Sequence, residues 1–140
     1  MTDVTTHLPS LALKYIQFIR YDWRVMDVYA FEARMLKALA HPVRLRIVDI
    51  LRGEEQCVCD LETALGLRQA CVSQHLMTLR RAGVVTDRKD GLRVYYHVSD
   101  SSVHAVLDTA KSMVSQQARK QGLALNFAMP NKAKRCDCAR

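Results

Sequence analysis

The chain has 140 residues, of which 49% are hydrophobic and 25% charged, a composition that fits a globular protein and excludes a disordered one. Its 21 lysine and arginine residues against 14 acidic ones give a net charge of +7, which favours a polyanionic partner. The apolar stretch at residues 11–31 is interrupted by charges too often for a membrane-spanning helix, and residues 1–10 lack a secretory signal pattern. We therefore expect a cytoplasmic protein with no membrane partner.

The N-terminal part is predicted to be helical. Between residues 10 and 35, polar side chains recur every three or four positions on otherwise apolar sequence. So broad an apolar face predicts packing against a second subunit, although an ordinary core helix shows the same pattern. We assign residues 1–30 to a helical dimerisation arm.

The next three helices are marked by their ends. "HPVRLRIVDILRG" places Pro42 at a helix start, and "CDLETALGL" follows with Asp60 as its expected N-cap and Gly66 at its end. "RQACVSQHLMTLRRAG" then resumes a helical period that stops at Gly83. Two helices joined by a turn of about three residues predict a helix-turn-helix.

A β-hairpin and a long helix complete the predicted domain. "VVTDRKDGLRVYYHV" reads as two strands with Asp90 and Gly91 in the turn, and residues 101–120 form a helix with one apolar face. Residues 31–122 are thus predicted to form a mostly helical winged helix-turn-helix with a small β-hairpin. Residues 123–140 are left as a basic, cysteine-containing tail.

This arrangement predicts binding to double-stranded DNA. In a winged helix the second helix of the motif enters the major groove, and the hairpin lies along the neighbouring backbone. Each polar residue there, taken alone, is an ordinary solvated surface residue, so the prediction depends on their common face. The predicted DNA contacts are Arg68, Gln69, Ser73, Gln74, His75, Thr78 and Arg81 in the helix, and Arg88, Lys89 and Arg93 in the hairpin.

The five cysteines are an odd number, and four of them form two Cys-x-Cys pairs. This separation is too short for an ordinary structural disulfide, and it predicts reduced thiols that are available for metal or redox chemistry. At i and i+2 on a regular helix, Cys57 and Cys59 would point about 200° apart. They converge only if Cys57 precedes the helix, where the helix dipole also favours thiolates. The alternative is a pair of small buried side chains.

Four segments, in this order, resemble the ArsR/SmtB family of metal-responsive repressors: "KALAHPVRLRIVDIL", "CVCDLETALGL", "VSQHLMTLRRAGVV" and "DGLRVYYHV". The resemblance covers about residues 31–120. It implies a homodimer that represses its operator when metal-free and releases DNA on binding an inducer. The "CVCD" element is similar to that of the arsenic- and cadmium/lead-sensing branches, which implies that Cys57 and Cys59 are inducer ligands.

The rest of the predicted ligand set departs from those branches. Glu62 stands where the arsenic-sensing version often has a third cysteine, and the N-terminal arm has none. Cys136 and Cys138 are therefore the candidates to complete the site, unless they are incidental thiols of the tail. The zinc-sensing branch uses Asp, His and Glu along the last helix, where Asp100 and His104 are the only candidates, and we expect that zinc site to be absent.

Soft ions are the predicted inducers, because thiolates select them over hard ions. Arsenite, As(III), is the leading candidate, followed by Cd(II) or Pb(II). A rival interpretation is a repressor of the same fold that senses oxidants or reactive sulfur by joining cysteines. Cys71, near the start of the recognition helix, is then either a small packed residue or a reactive thiol close to DNA.

Other classes of protein fit less well. A thiol enzyme or a metal carrier that does not bind DNA would need a different pattern, since no Cys-x-x-Cys precedes a helix and no nucleophile with a base can be assembled. A structural zinc module would need four ligands at finger spacing. We expect the protein not to be an enzyme.

Overall fold

A computed structural model describes residues 27–126. Residues 34–126 are the described part of one compact unit, whereas residues 27–33 fall in another. The predicted arm up to residue 26, and the tail with Cys136 and Cys138, lie outside the described residues. Within residues 27–126, no helix combines the length and apolarity needed to cross a membrane.

Five helices and three strands are described, in the order helix, helix, strand, helix, helix, strand, strand, helix. They are α1 (Val28–Leu39), α2 (Pro42–Ile50), β1 (Gln56–Cys57), α3 (Val58–Leu65), α4 (Gln69–Arg81), β2 (Val85–Asp90), β3 (Arg93–Val98) and α5 (Ser102–Lys120).

The core lies between α2, α3, α4 and the start of α5. Ile47, Leu61 and Leu76 have no exposed surface, and Val103 and Leu107 of α5 are 5% exposed. Burying a leucine or isoleucine side chain completely stabilises the fold by about 1.5–3 kcal/mol. The apolar period that predicted these helices therefore corresponds to their buried faces.

The predicted helix-turn-helix is confirmed. Gly66 ends α3 with a φ of 64°, a left-handed conformation that glycine adopts without steric cost, and its N–H donates to the Glu62 carbonyl at 2.9 Å. After Gly66, Leu67 and Arg68, the chain enters α4. The short turn fixes the start of α4 relative to the end of α3.

The predicted hairpin is present, but the sheet has three antiparallel strands in the order β1-β3-β2. In β1, Gln56 pairs with Tyr96 and Cys57 pairs with Tyr95. A strand of two residues is too short to show alternation in the sequence. The expected turn is also displaced by one residue, because Asp90 still pairs with Arg93 and the loop is Gly91-Leu92.

Candidate sensor site and DNA-reading surface

Cys57, rather than Asp60, is the N-cap of α3. Its backbone is extended, with φ −81° and ψ 167°, and its sulfur accepts a hydrogen bond from the Asp60 N–H at 3.4 Å. Asp60 is the third helical residue, and its Oδ2 accepts from the Cys57 N–H at 3.3 Å, which completes a capping box. The prediction for Asp60 was wrong because the sulfur takes the role that a hydroxyl or carboxylate usually has.

The two cysteine side chains converge at this helix start. Their sulfur atoms lie 2.6 Å apart, and both cysteines are free. Cys57 is only 4% exposed, whereas Cys59, in the first turn of α3, is half-buried. Because Cys57 precedes the helix, the pair avoids the wide angular separation that two positions within one helix would impose.

Asp60 brings a third donor to the same place. One donor atom each from Cys57, Cys59 and Asp60 lies within 4.8 Å of the others, the one such group of three that residues 27–126 contain. The Asp60 side chain is buried, and its Oδ2 accepts from the Cys57 thiol at 3.0 Å. Sequence reasoning missed this donor because it treated Asp60 only as a cap, although the Cys-x-Cys-Asp spacing was visible.

The sensor site is tied to the wing in two ways. The first is the backbone pairing of Cys57 with Tyr95. The second is Glu55, whose two carboxylate oxygens accept from Arg88 Nη2 at 2.5 Å and Nε at 3.3 Å. This hydrogen bonding lowers the pKa of Glu55. The Arg88 guanidinium also lies over the ring of Tyr95 in β3 at 5.3 Å. A predicted phosphate contact is therefore held by Glu55, just before β1, and by the strand that pairs with Cys57.

One side of helix α4 is buried in the core, and the other side is exposed. Val72, Leu76 and Leu79 are fully buried, as predicted. The predicted DNA contacts that are exposed are Arg68, Gln69, Gln74, Thr78, Arg81, Arg88 and Lys89, and those that are half-buried are Ser73, His75 and Arg93. Most of the set is therefore accessible to a partner.

His75 is less accessible because it packs against His41. Their ring centroids are 4.6 Å apart, and the Nδ1 of His41 caps α2 by accepting from the Val43 N–H at 3.2 Å. Burial lowers the pKa of His75, and His41 and Arg44 lower it further. His75 is thus packed against a neighbouring ring, and its contact with DNA stays a prediction.

Three other predicted residues have distinct surroundings. Cys71 is exposed, which disagrees with its interpretation as a packed residue. The Asp100 carboxylate accepts from the Ser102 N–H at 2.7 Å at the start of α5. Hydrogen bonding by the Ser102 side chain, and then by this N–H, lowers the pKa of Asp100. The buried Nδ1 of His104 has no hydrogen-bond partner in the described part of the chain.

A helix-turn-helix followed by a two-stranded wing defines a winged helix-turn-helix DNA-binding protein. The model of the arsR family of bacterial regulatory proteins matches residues 41–87. The chain is 48% identical over 75 residues to the HTH-type transcriptional repressor SmtB of Mycobacterium tuberculosis, a match covering 53% of this chain and 56% of that repressor. It is 34% identical over 95 residues to a transcriptional repressor SmtB homolog of Synechocystis, covering 68% of this chain and 72% of that protein.

A solved structure is also similar to this chain. The NMR structure of a homodimeric winged helix-turn-helix DNA-binding domain, from a possible ArsR-family regulator of Mycobacterium bovis, matches with a TM-score of 0.59 and 30% identity. The match covers 64% of this chain and 82% of that chain. The chain belongs to the arsR family of bacterial regulatory proteins. The predicted family is thereby confirmed.

Proposed function

We propose that this protein is a homodimeric transcriptional repressor that releases its operator DNA when a thiophilic metal or metalloid ion binds Cys57 and Cys59. The observation that carries the proposal is the convergence of the two sulfur atoms at the N-cap of α3. The capping box accounts for Cys57 and Asp60, but neither capping nor packing gives a reason for the second thiol, Cys59, to lie beside the first.

The donor set limits the choice of ion. Two thiolates favour soft ions, and arsenite remains the first candidate if a thiol of the tail, Cys136 or Cys138, supplies a third sulfur. With the Asp60 carboxylate as third donor, the set suits Cd(II) or Pb(II), which accept oxygen together with sulfur. The identity of the third ligand therefore decides between the metalloid and the two metals.

The sensor site is positioned to influence DNA binding. It lies at the start of α3, and the turn at the end of α3 leads directly into α4. The same site is paired with β3 of the wing through Cys57 and Tyr95. An ion that draws Cys57, Cys59 and a third donor together would shift α3 and β1. The orientation of α4 and of the wing, the two elements that contact DNA, would change with them.

The homodimer is supported by the surface of α5. This helix leaves Val106, Met113 and Val114 exposed, next to Ala105 and Ala110, and so carries an apolar face without a partner among residues 27–126. Pairing this face with a second copy would place two recognition helices about 34 Å apart, one turn of DNA. Met113→Glu is expected to give monomers in analytical ultracentrifugation, whereas dimers of this variant would exclude α5 as the interface.

The central test is a titration of the protein's own promoter DNA with arsenite, Cd(II) and Pb(II). Cys57→Ser and Cys59→Ser should bind the DNA as the wild type does but fail to release it, because one ligand is lost. Cys71→Ser is the matched control and should respond normally. If both variants release the DNA at the ion concentration that releases the wild type, Cys57 and Cys59 are packing residues and not ligands.

The tail is tested by replacing Cys136 and Cys138 together. If the tail supplies the third ligand, this variant loses its response to arsenite and keeps its response to Cd(II) or Pb(II). If Asp60 is the third ligand, the double variant keeps its full response and Asp60→Asn weakens it.

A second candidate function is a thiol-based redox or reactive-sulfur sensor, which the exposure of Cys71 favours. An exposed thiol near the start of the recognition helix is accessible to oxidants. In that case peroxide or a persulfide should release the wild type from DNA and leave Cys71→Ser bound. Ions alone would then have no effect on either protein.

A further inference from the structure

A basic cleft lies between the last turns of α1, the first turn of α2 and the end of α4. Its volume is about 430 Å³. Four cationic side chains line it, namely Arg34, Lys37, Arg44 and Arg81, together with Thr78 and two alanines. None of the lining residues is acidic, so the cleft concentrates positive charge in a concave surface.

Two of the four cations are oriented by neutral groups. Arg44 donates through Nε to the Ala38 carbonyl and through Nη2 to the Lys37 carbonyl at 3.2 Å. Arg34 Nη2 donates to the Arg81 carbonyl at 3.1 Å. Because a carbonyl is neutral, the contacts of Arg44 hold its guanidinium in place and keep its charge.

The ion pairs of Arg52, Arg80, Arg88 and Lys111 lie outside this cleft. Lys37, Arg44 and Arg81 form no ion pair with residues 27–126. Cations without an acidic partner in this range are suited to an anion with several oxygen acceptors, and phosphate is the common one that arginine and lysine bind.

The position of the cleft identifies which phosphate. Thr78 and Arg81 lie in the last turns of α4, a helix of 13 residues and hence about 20 Å long. The major groove is only about 12 Å wide. A helix that reads bases with its first turns therefore extends past the groove, and its last turns meet the sugar-phosphate backbone.

We propose that this cleft receives a phosphate of the DNA backbone, so that Lys37, Arg34 and Arg44 extend the DNA-binding surface beyond the helix-turn-helix and the wing. The contact carries no sequence information, because a phosphate is the same at every base pair. It is independent of the ion that induces the repressor, and it holds whether or not Cys57 and Cys59 are ligands.

The test is the salt dependence of DNA binding by Lys37→Gln in the full chain. Lys37 is exposed and its side chain forms no hydrogen bond or ion pair with residues 27–126, so the variant should fold normally, which a urea unfolding curve checks. Lys120→Gln, at the end of α5, is the matched control because it removes the same charge outside the DNA-binding elements.

Each lost phosphate contact flattens the plot of log affinity against log salt by about 0.9, or about 1.8 for a dimer with two clefts. Between 50 and 200 mM salt, the wild type should therefore lose about 12-fold more affinity than Lys37→Gln. The variant should lose equal affinity for the promoter and for an unrelated duplex. Arg81→Gln should flatten the slope as well, and Lys120→Gln should leave it unchanged.

A salt slope for Lys37→Gln that equals that of the wild type would overturn the proposal. If, in addition, inorganic phosphate raises the Tm of the wild type but not that of Lys37→Gln, the cleft is a site for a small anion instead of DNA.

Discussion

The two helices of the helix-turn-helix begin in opposite ways. At the start of α3, Cys57 is 4% exposed and Asp60 7% exposed, and each accepts a hydrogen bond from the other's backbone. At the start of α4, the side chain of Arg68 forms no capping hydrogen bond, and Gln69 and Cys71 are exposed.

On the proposed function, this difference separates the helix start that senses the ion from the helix start that contacts DNA. The first N–H groups of a helix lack partners within the helix and favour anions. In α3 side chains of the protein itself take up this capacity, whereas in α4 it remains open to phosphate and water. A ligand at α3 must therefore displace interactions that hold the fold, while DNA at α4 displaces only solvent.

Replacing Asp60, the partner of Cys57 in the capping box, should give the largest difference in stability between the two helix starts. Asp60→Ala leaves the buried Cys57 N–H without its acceptor, so the free energy of unfolding should fall by about 1–3 kcal/mol. Arg68→Ala removes no cap and should change it by less than about 0.5 kcal/mol. Urea unfolding measures both variants. Equal losses in the free energy of unfolding would contradict the difference in side-chain capping between α3 and α4.

The reading side of α4 predicts two kinds of effect on DNA. Gln74 is exposed and can pair with adenine, so Gln74→Ala should lower the discrimination between bases at one position by about 1–3 kcal/mol. Arg93→Ala in the wing should weaken binding to all sequences alike and flatten the salt slope by about 0.9 for each wing, or about 1.8 for the dimer. Competition binding with a set of single-base operator variants measures these effects. No effect of either substitution would show that the groove assignment is wrong.

Two half-buried histidines, His75 of α4 and His104 of α5, predict a pH dependence. Burial is the largest cause that lowers the pKa of His75 and of His104. The unfolded chain takes up these protons near the ordinary pKa of about 6.5, so folded stability is full above that pH and falls below it. Urea unfolding at pH 7.5 and 5.5 should show lower stability at pH 5.5. The double variant His75→Gln, His104→Gln should lose less, and a wild type more stable at pH 5.5 would contradict this assignment.

The smallest expected effect is on the connection between sensor and wing. Glu55→Gln weakens the exposed pair with Arg88, so the ion-dependent loss of DNA affinity should change by less than about fivefold. Asp108→Asn, which weakens an equally exposed pair with Arg52, is the control. A response identical in wild type and Glu55→Gln would leave the β1–β3 backbone pairing as the connection to the wing.

The sequence predicted the elements whose side chains repeat along one face. Val72, Leu76 and Leu79 recur with the helical period because one side of α4 is buried, and the hairpin alternates around a glycine turn. The resemblance to a known family then added expectations that periodicity does not give, namely a homodimer and an inducer bound by Cys57 and Cys59. These regularities are local, so a single sequence displays them.

The missed features join residues that are far apart in the chain. Glu55 and Arg88 are 33 positions apart in the sequence, and the contacting rings of His41 and His75 are separated by a similar number of residues. No periodicity marks such contacts, since they depend on how the elements pack. The cap of α3 was missed for another reason, because a cysteine sulfur is not among the usual capping groups.

The sulfur cap has a consequence for descent within the family. Serine is one of the best N-cap residues, so replacing Cys57 by serine would remove the proposed soft ligand and keep the hydrogen bond that starts α3. On the proposed function, a lineage can therefore lose ion sensing, or regain it, without a penalty in folding. Selection on the inducer can then act on position 57 almost independently of selection on the DNA-binding scaffold.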